Sequence, residues 1–127
     1  VLPPQAEKEA GFLSALERLA NVVGNTGAKA VFYAAPATLD LIRERFARSS
    51  NEIGYVPFVN WEDFLIVSRD VRTDDTLWIW MSRRNGVSYE SSMARVSRYL
   101  DQYFKGNNFV LVYPLQASID EGSRYLT

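Results

Sequence analysis

The residues best equipped to bind a ligand are Ser82, Arg83, Arg84, Asn85 and Gly86. They follow a short apolar run at 77–81 and precede an amphipathic stretch, so two guanidinium forks and the N–H groups of a helix start converge where a strand ends. That arrangement suits an anion. It equally describes a solvated loop in which Gly86 takes a positive φ, and the glycine density that lets backbone wrap a phosphate is missing. Trp78 and Trp80 flank Ile79 and have the surface to stack on a base, although in a buried strand such rings are core. Ser88, Ser91 and Ser92 have no imidazole to activate them, which leaves Lys8, Lys29 or Lys105 as the base for any serine nucleophile, none of them in a motif. The carboxylate pairs Glu62 and Asp63, Asp74 and Asp75, and Asp120 and Glu121 offer oxygen to a hard cation, but acids are ordinary at loop ends and helix starts. No catalytic residue and no metal ligand is assigned.

Composition excludes more than it offers. The 127 residues contain neither histidine nor cysteine, which removes imidazole acid/base chemistry, thiolate nucleophiles, disulfides and the usual zinc sites. A net charge of −1 and a pI near 5.4, with basic residues scattered among acids, leave no footprint for nucleic acid or anionic lipid. No apolar run approaches the ~20 residues needed to span a bilayer. The length fits one domain, 1–127. A first residue that is valine and not methionine is read as a fragment of something longer.

The elements that must position the turn follow from periodicity. Residues 6–23 carry Phe12, Leu16, Leu19, Ala20 and Val23 at helical spacing, stopped by Gly24, Asn25 and Gly27. The wholly apolar run at 28–35 reads as a strand covered on both faces. Pro36 opens a helix whose inner face is Leu39, Ile42 and Phe46. Residues 53–59 form a strand that Pro57 confines to a sheet edge. Asn60 caps a short helix through Phe64, Leu65 and Val67. The strand 77–81, a helix over 88–104 burying Met93, Val96, Leu100 and Phe104, and the strand 109–113 stopped by Pro114 close the chain as a βαβ unit. Residues 117–127 show no period and read as a stub or a frayed tail.

Regular alternation predicts an α/β fold: a three-layer sandwich around a mostly parallel four-stranded sheet. Such folds open on a strand, whereas this chain opens on a helix. Its first strand is therefore missing or upstream. Ligands of open α/β sheets bind beyond the carboxyl ends of strands, where the 82–86 turn lies. The apolar strand Phe109, Val110, Leu111, Val112 and Tyr113 at the sheet's end is suited to pairing with a second copy, with Phe109, Leu111 and Tyr113 as the dimer edge.

The closing segment, Asp75-Thr-Leu-Trp-Ile-Trp-Met-Ser-Arg-Arg-Asn-Gly86, a helix, and Asn107-Asn-Phe-Val-Leu-Val-Tyr-Pro114, resembles the last βαβ unit of the universal stress protein family. More narrowly, Met93-Ala-Arg-Val-Ser-Arg-Tyr-Leu-Asp-Gln-Tyr-Phe104 with Asn107 to Gln116 is similar to the cytosolic carboxyl-terminal region of bacterial, Bacteroidetes-type, sodium/proton antiporters of the monovalent cation:proton antiporter-2 family. The first resemblance implies a Rossmann-like five-stranded parallel sheet and dimerisation through the final strand. Nucleotide-binding members of that family carry a Gly-x-x-Gly, nine residues, Gly-Ser/Thr pattern, whose glycines fall here near Met81, Arg84 and Ala94, so no ATP and no other cofactor is expected. The family's acidic nucleoside-binding residue, which follows its first strand, is expected upstream of Val1. The second resemblance implies a regulatory or assembly domain without catalysis at the cytoplasmic face of the bacterial inner membrane. Its partners would be the membrane-embedded antiporter domain of the same polypeptide and a second copy, with no nucleic acid and no insertion into the membrane by this segment. The alternatives are a free-standing stress-type protein binding a nucleotide or small anion at the 82–86 turn, and a hydrolase on a similar sheet.

Overall fold

The structure, a computed structural model, describes residues 1–115. After a 3₁₀ turn at Ala6–Lys8 come α1 (Phe12–Thr26), β1 (Ala30–Ala34), α2 (Pro36–Arg45) and β2 (Ile53–Pro57). A 3₁₀ segment at Trp61–Arg69, kinked at Asp63, leads to β3 (Thr76–Trp80). A 3₁₀ turn at Ser91–Arg95 then feeds α3 (Val96–Tyr103), and β4 (Asn108–Val112) follows.

The chain is α/β, and its strands pair in parallel, but the expected single four-stranded sheet is not formed. β1 pairs only β2, with Ala30 opposite Ile53 and Ala34 opposite Pro57, while β3 pairs only β4, with Thr76 opposite Asn108 and Trp80 opposite Val112. The physical reason is the extended segment Val1 and Leu2, which lies between the pairs and bonds to both. The Val1 ammonium donates to the Trp78 carbonyl (2.7 Å), the Trp80 N–H donates to the Val1 carbonyl (2.8 Å), and the Leu2 N–H donates to the Tyr33 carbonyl (2.9 Å). These are the slanted bonds of parallel ladders on each side of one strand. The position of a first strand is thus held by two residues of this chain.

Side-chain alternation sorts the core onto two faces. Leu77, Ile79, Met81 and Tyr33 join Phe64, Val67, Val96 and Leu100 on one, whereas Phe32, Ala34 and Trp80 join Phe12, Leu16, Leu39 and Ile42 on the other. Val1 belongs to the first cluster and Leu2 to the second, so even this two-residue segment alternates like a strand. Leu2 is only 1% exposed, and such burial stabilises by about 1.5–3 kcal/mol.

Several elements differ from the sequence reading at their edges. α1 begins at Phe12 and not near residue 6, because Pro3, Pro4 and a left-handed Gln5 (φ 66°) first turn the chain out of the strand direction. It ends at Gly27 (φ 68°), whose N–H reaches the Val23 carbonyl. The single helix expected over 88–104 starts later, with a 3₁₀ turn before α3. β2 lies at an edge, as Pro57 requires. The reading of a tail at 117–127 falls outside the described residues.

Burial lowers the Val1 α-ammonium from 8.0 to about 5. The unfolded chain then binds this proton more tightly than the folded one, so stability rises with pH between about 5 and 8 and the loss is complete below that window. The difference amounts to an order of 4 kcal/mol. With no histidine or cysteine in the chain, no side chain of ordinary pKa titrates in the same window. Urea denaturation of the chain with a free amino end at Val1 should show this slope from pH 5 to 8, and acetylating that nitrogen should abolish it. A flat profile for the free amine would contradict its burial.

Candidate functional site

Beyond the carboxyl ends of β3 and of the Val1 and Leu2 segment, two loops meet. One comprises residues 3–11 and carries Glu7 and Glu9; the other comprises 81–90 and carries the arginine turn. Glu9 is the residue that joins them. Its side chain is only 6% exposed, and its Oε2 accepts from the Ser82 hydroxyl (2.9 Å), the Ser88 N–H (3.1 Å) and the Ser88 hydroxyl (2.5 Å). Three donors on one carboxylate oxygen is the environment an external anion would have sought, and here the chain's own carboxylate occupies it. Nearby, Glu7 accepts from the Thr38 hydroxyl at the start of α2 (2.6 Å), which fixes the same loop from the other side.

The five residues of the turn divide accordingly. Ser82 is buried and faces Glu9, while Arg83, Arg84 and Asn85 are exposed. The Arg83 guanidinium sits 5.1 Å from the centre of the Tyr113 ring, tying the turn to the end of β4. Gly86 closes a tight turn through its N–H to the Arg83 carbonyl and has a negative φ, so glycine's conformational freedom is not what the site uses. The Ser88 N–H donates to Glu9, and the 3₁₀ turn that leads into α3 begins three residues later, at Ser91.

The remaining candidates separate in space. Trp80 is buried against Phe12, their ring centres 6.1 Å apart, and Trp78 packs half-buried on the same face. Asp75 accepts from the Arg72 N–H (2.9 Å), with Asn107 donating to the carbonyls of Arg72 and Asp75, so this acid shapes a turn. Asn60 caps the Trp61–Arg69 segment by accepting from the Glu62 N–H. Among the described residues no three of Asp, Glu, His and Cys lie together as a metal site. Lys8 and Lys105 are exposed and Lys29 pairs with Glu52 at the surface (3.1 Å), while Ser91 is exposed and Ser92 is buried. Phe109 and Leu111 are exposed along β4, as is Tyr113 immediately after it, with Phe109 49% exposed. Asp120 and Glu121 lie outside the described residues.

Sequence reading missed Glu9 because it lies within the 6–23 stretch read as a helix, 73 positions from Ser82 and 79 from Ser88. Glu7 and Glu9 follow the Val1 and Leu2 segment in the chain.

Removing the acceptor strands buried donors, so Glu9→Leu should cost about 2–3 kcal/mol and Ser88→Ala about 1 kcal/mol. Arg84→Ala, at an exposed position, should stay within about 0.5 kcal/mol. Urea midpoints of the three variants check this ranking, and an Arg84 effect as large as that of Glu9 would contradict it. Comparison with known proteins finds no matching family model, no matching curated protein and no matching solved structure.

Proposed function

We propose that the chain is a universal stress protein-like α/β domain acting as the cytosolic regulatory or assembly part of a bacterial monovalent cation/proton antiporter, without catalytic activity of its own. The observation that carries the fold-level reading is the succession of strands through Val1 and Leu2. Counting that segment as the first strand, the order is β2, β1, first strand, β3, β4, which in chain order is 3-2-1-4-5. This is the doubly wound order whose reversal point, between the first strand and β3, is the customary ligand crevice. Helices on both faces of the strands agree with a three-layer sandwich. The narrower assignment rests on the likeness of 93–104 and 107–116 to antiporter tails.

The Glu9 carboxylate favours a regulatory domain over a nucleotide-binding one. A triphosphate approaching the Ser82 to Ser88 loop would meet a fixed negative charge and find those donors taken. Among the described residues no helix is long and apolar enough to cross a membrane, so ion movement would belong to carboxylates elsewhere in the polypeptide. A compact module of this kind biases a carrier only through differential contacts with the carrier, a ligand or a second copy. The exposed apolar edge of Phe109, Leu111 and Tyr113 supplies a surface for the last of these.

The reading of the open reading frame upstream of Val1 tests the antiporter assignment: ten or more apolar stretches support it, and a short leader without them refutes it. Calorimetric titration with ATP and AMP tests the rival. No heat of binding is expected, whereas micromolar affinity lost in the double variant Arg83→Ala, Arg84→Ala would replace the regulatory reading with a nucleotide-binding one.

A further inference from the structure

β1 and β3 both bond to Val1 and Leu2, so they stand two strand spacings apart, about 9.5 Å. Behind Val1 that spacing encloses a cavity of about 660 Å³ at the amino ends of the two strands. Its walls carry Leu19, Val22 and Val23 of α1 on one side and Val67 and Val71 on the other, and its lining also includes the polar Thr26, Lys29, Asp70, Arg72, Asp74 and Asp75.

We infer that this cleft is a strand site, taking three residues of extended apolar peptide joined to the amino side of Val1 and running parallel to β1 and β3. The register fixes the number independently from each wall. Val1 stands level with Ile79 through its bonds to Trp78 and Trp80, and level with Tyr33 through the Leu2 N–H. Three positions back from Ile79 is Thr76, the first residue of β3; three back from Tyr33 is Ala30, the first residue of β1. Two walls that were not built around a common strand would have no reason to end together. Three residues span about 10 Å.

The backbone groups of the walls are set to receive such a strand. Ala30 donates to Glu52 and Ala34 accepts from Phe58, so the even-numbered residues of β1 face β2 and Val31 and Tyr33 face the cleft. By the same alternation Met81 faces β4, which turns Thr76 and Trp78 inward. Among the described residues the inward N–H groups of Tyr33 and Trp78 have no backbone acceptor. In the continued ladder the residue immediately before Val1 would accept from Tyr33 and donate to the Val31 carbonyl. The residue before that would accept from Trp78 and donate to the Thr76 carbonyl. Side chains would alternate between the α1 wall and the Val67 and Val71 wall, which is why both positions call for apolar residues of strand-forming type. A peptide N–H at Val1 makes the same bond to Trp78 as the terminal nitrogen does.

The test compares amide exchange in the chain extended ahead of Val1 by Val-Ile-Val, by Gly-Ser-Gly and by Val-Ile-Pro, each against the unextended chain. Phe32, whose N–H faces β2, serves as the internal reference for overall stability. With Val-Ile-Val, the Tyr33 and Trp78 amides should exchange at least tenfold more slowly relative to Phe32. With Val-Ile-Pro, which cannot donate to Val31 and is barred from continuing the ladder, they should stay within threefold of the unextended chain. Equal exchange for Val-Ile-Val and Gly-Ser-Gly would overturn the inference. So would slowing that grows with protein concentration, since the strand would then come from a second copy.

Discussion

The three hydrogen bonds made by Val1 and Leu2 hold together two strand pairs that otherwise share no ladder. Everything else in the fold is arranged around the separation they set. Each pair alone is two short strands, and an isolated two-stranded unit is marginal in water. With the segment in place, Val1 adds to the core under the Trp61–Arg69 segment and α3, Leu2 adds to the core under α1 and α2, and the Trp61 indole N–H caps the Leu2 carbonyl (3.2 Å). Two residues thus link both hydrophobic clusters as well as both ladders. Their leverage comes from position, since in a central strand successive residues bond alternately to the neighbours on either side.

The same segment aims the loop that follows it. Because Leu2 ends at the carboxyl side of the strands, residues 3–9 pass directly over the end of β3, and Glu9 reaches Ser82 and Ser88. Open α/β sheets ordinarily leave this crevice for a ligand. Here a carboxylate satisfies the donors internally, while the guanidinium of Arg83 lies over the Tyr113 ring. The crevice therefore works as a lock between the first loop and the last βαβ unit. Along β4, Phe109, Val110 and Leu111 are among the exposed apolar residues of the described chain.

Helix faces were plainly legible in the sequence. Phe12, Leu16, Leu19, Ala20 and Val23 are the buried residues of α1, and Met93, Val96, Leu100 and Phe104 are all buried, because a 3.6-residue period needs no knowledge of the partner surface. Pro57 likewise marked β2 as an edge from local chemistry alone. What escaped were features made by contacts between distant residues. Two residues ahead of Pro3 carry no period, so nothing in Val1 and Leu2 announces a strand; only the carbonyls of Tyr33 and Trp78 make them one. Glu9 had no local motif, and its bonds to Ser82 and Ser88 join residues 73 and 79 positions apart. The arginine turn was conspicuous by composition, yet its arginines point to solvent and to Tyr113 while the buried work is done by its serine.

The central claim is that Val1 and Leu2 form a strand shared by both pairs. Scalar coupling across hydrogen bonds, measured by NMR between the Trp80 amide nitrogen and the Val1 carbonyl carbon and between the Leu2 amide nitrogen and the Tyr33 carbonyl carbon, tests it most directly. Both couplings should be present in the same sample, with the two amides among the slowly exchanging set. Absence of both, with Trp80 and Leu2 exchanging as freely as an unstructured peptide, would show that the pairs are not joined in this way.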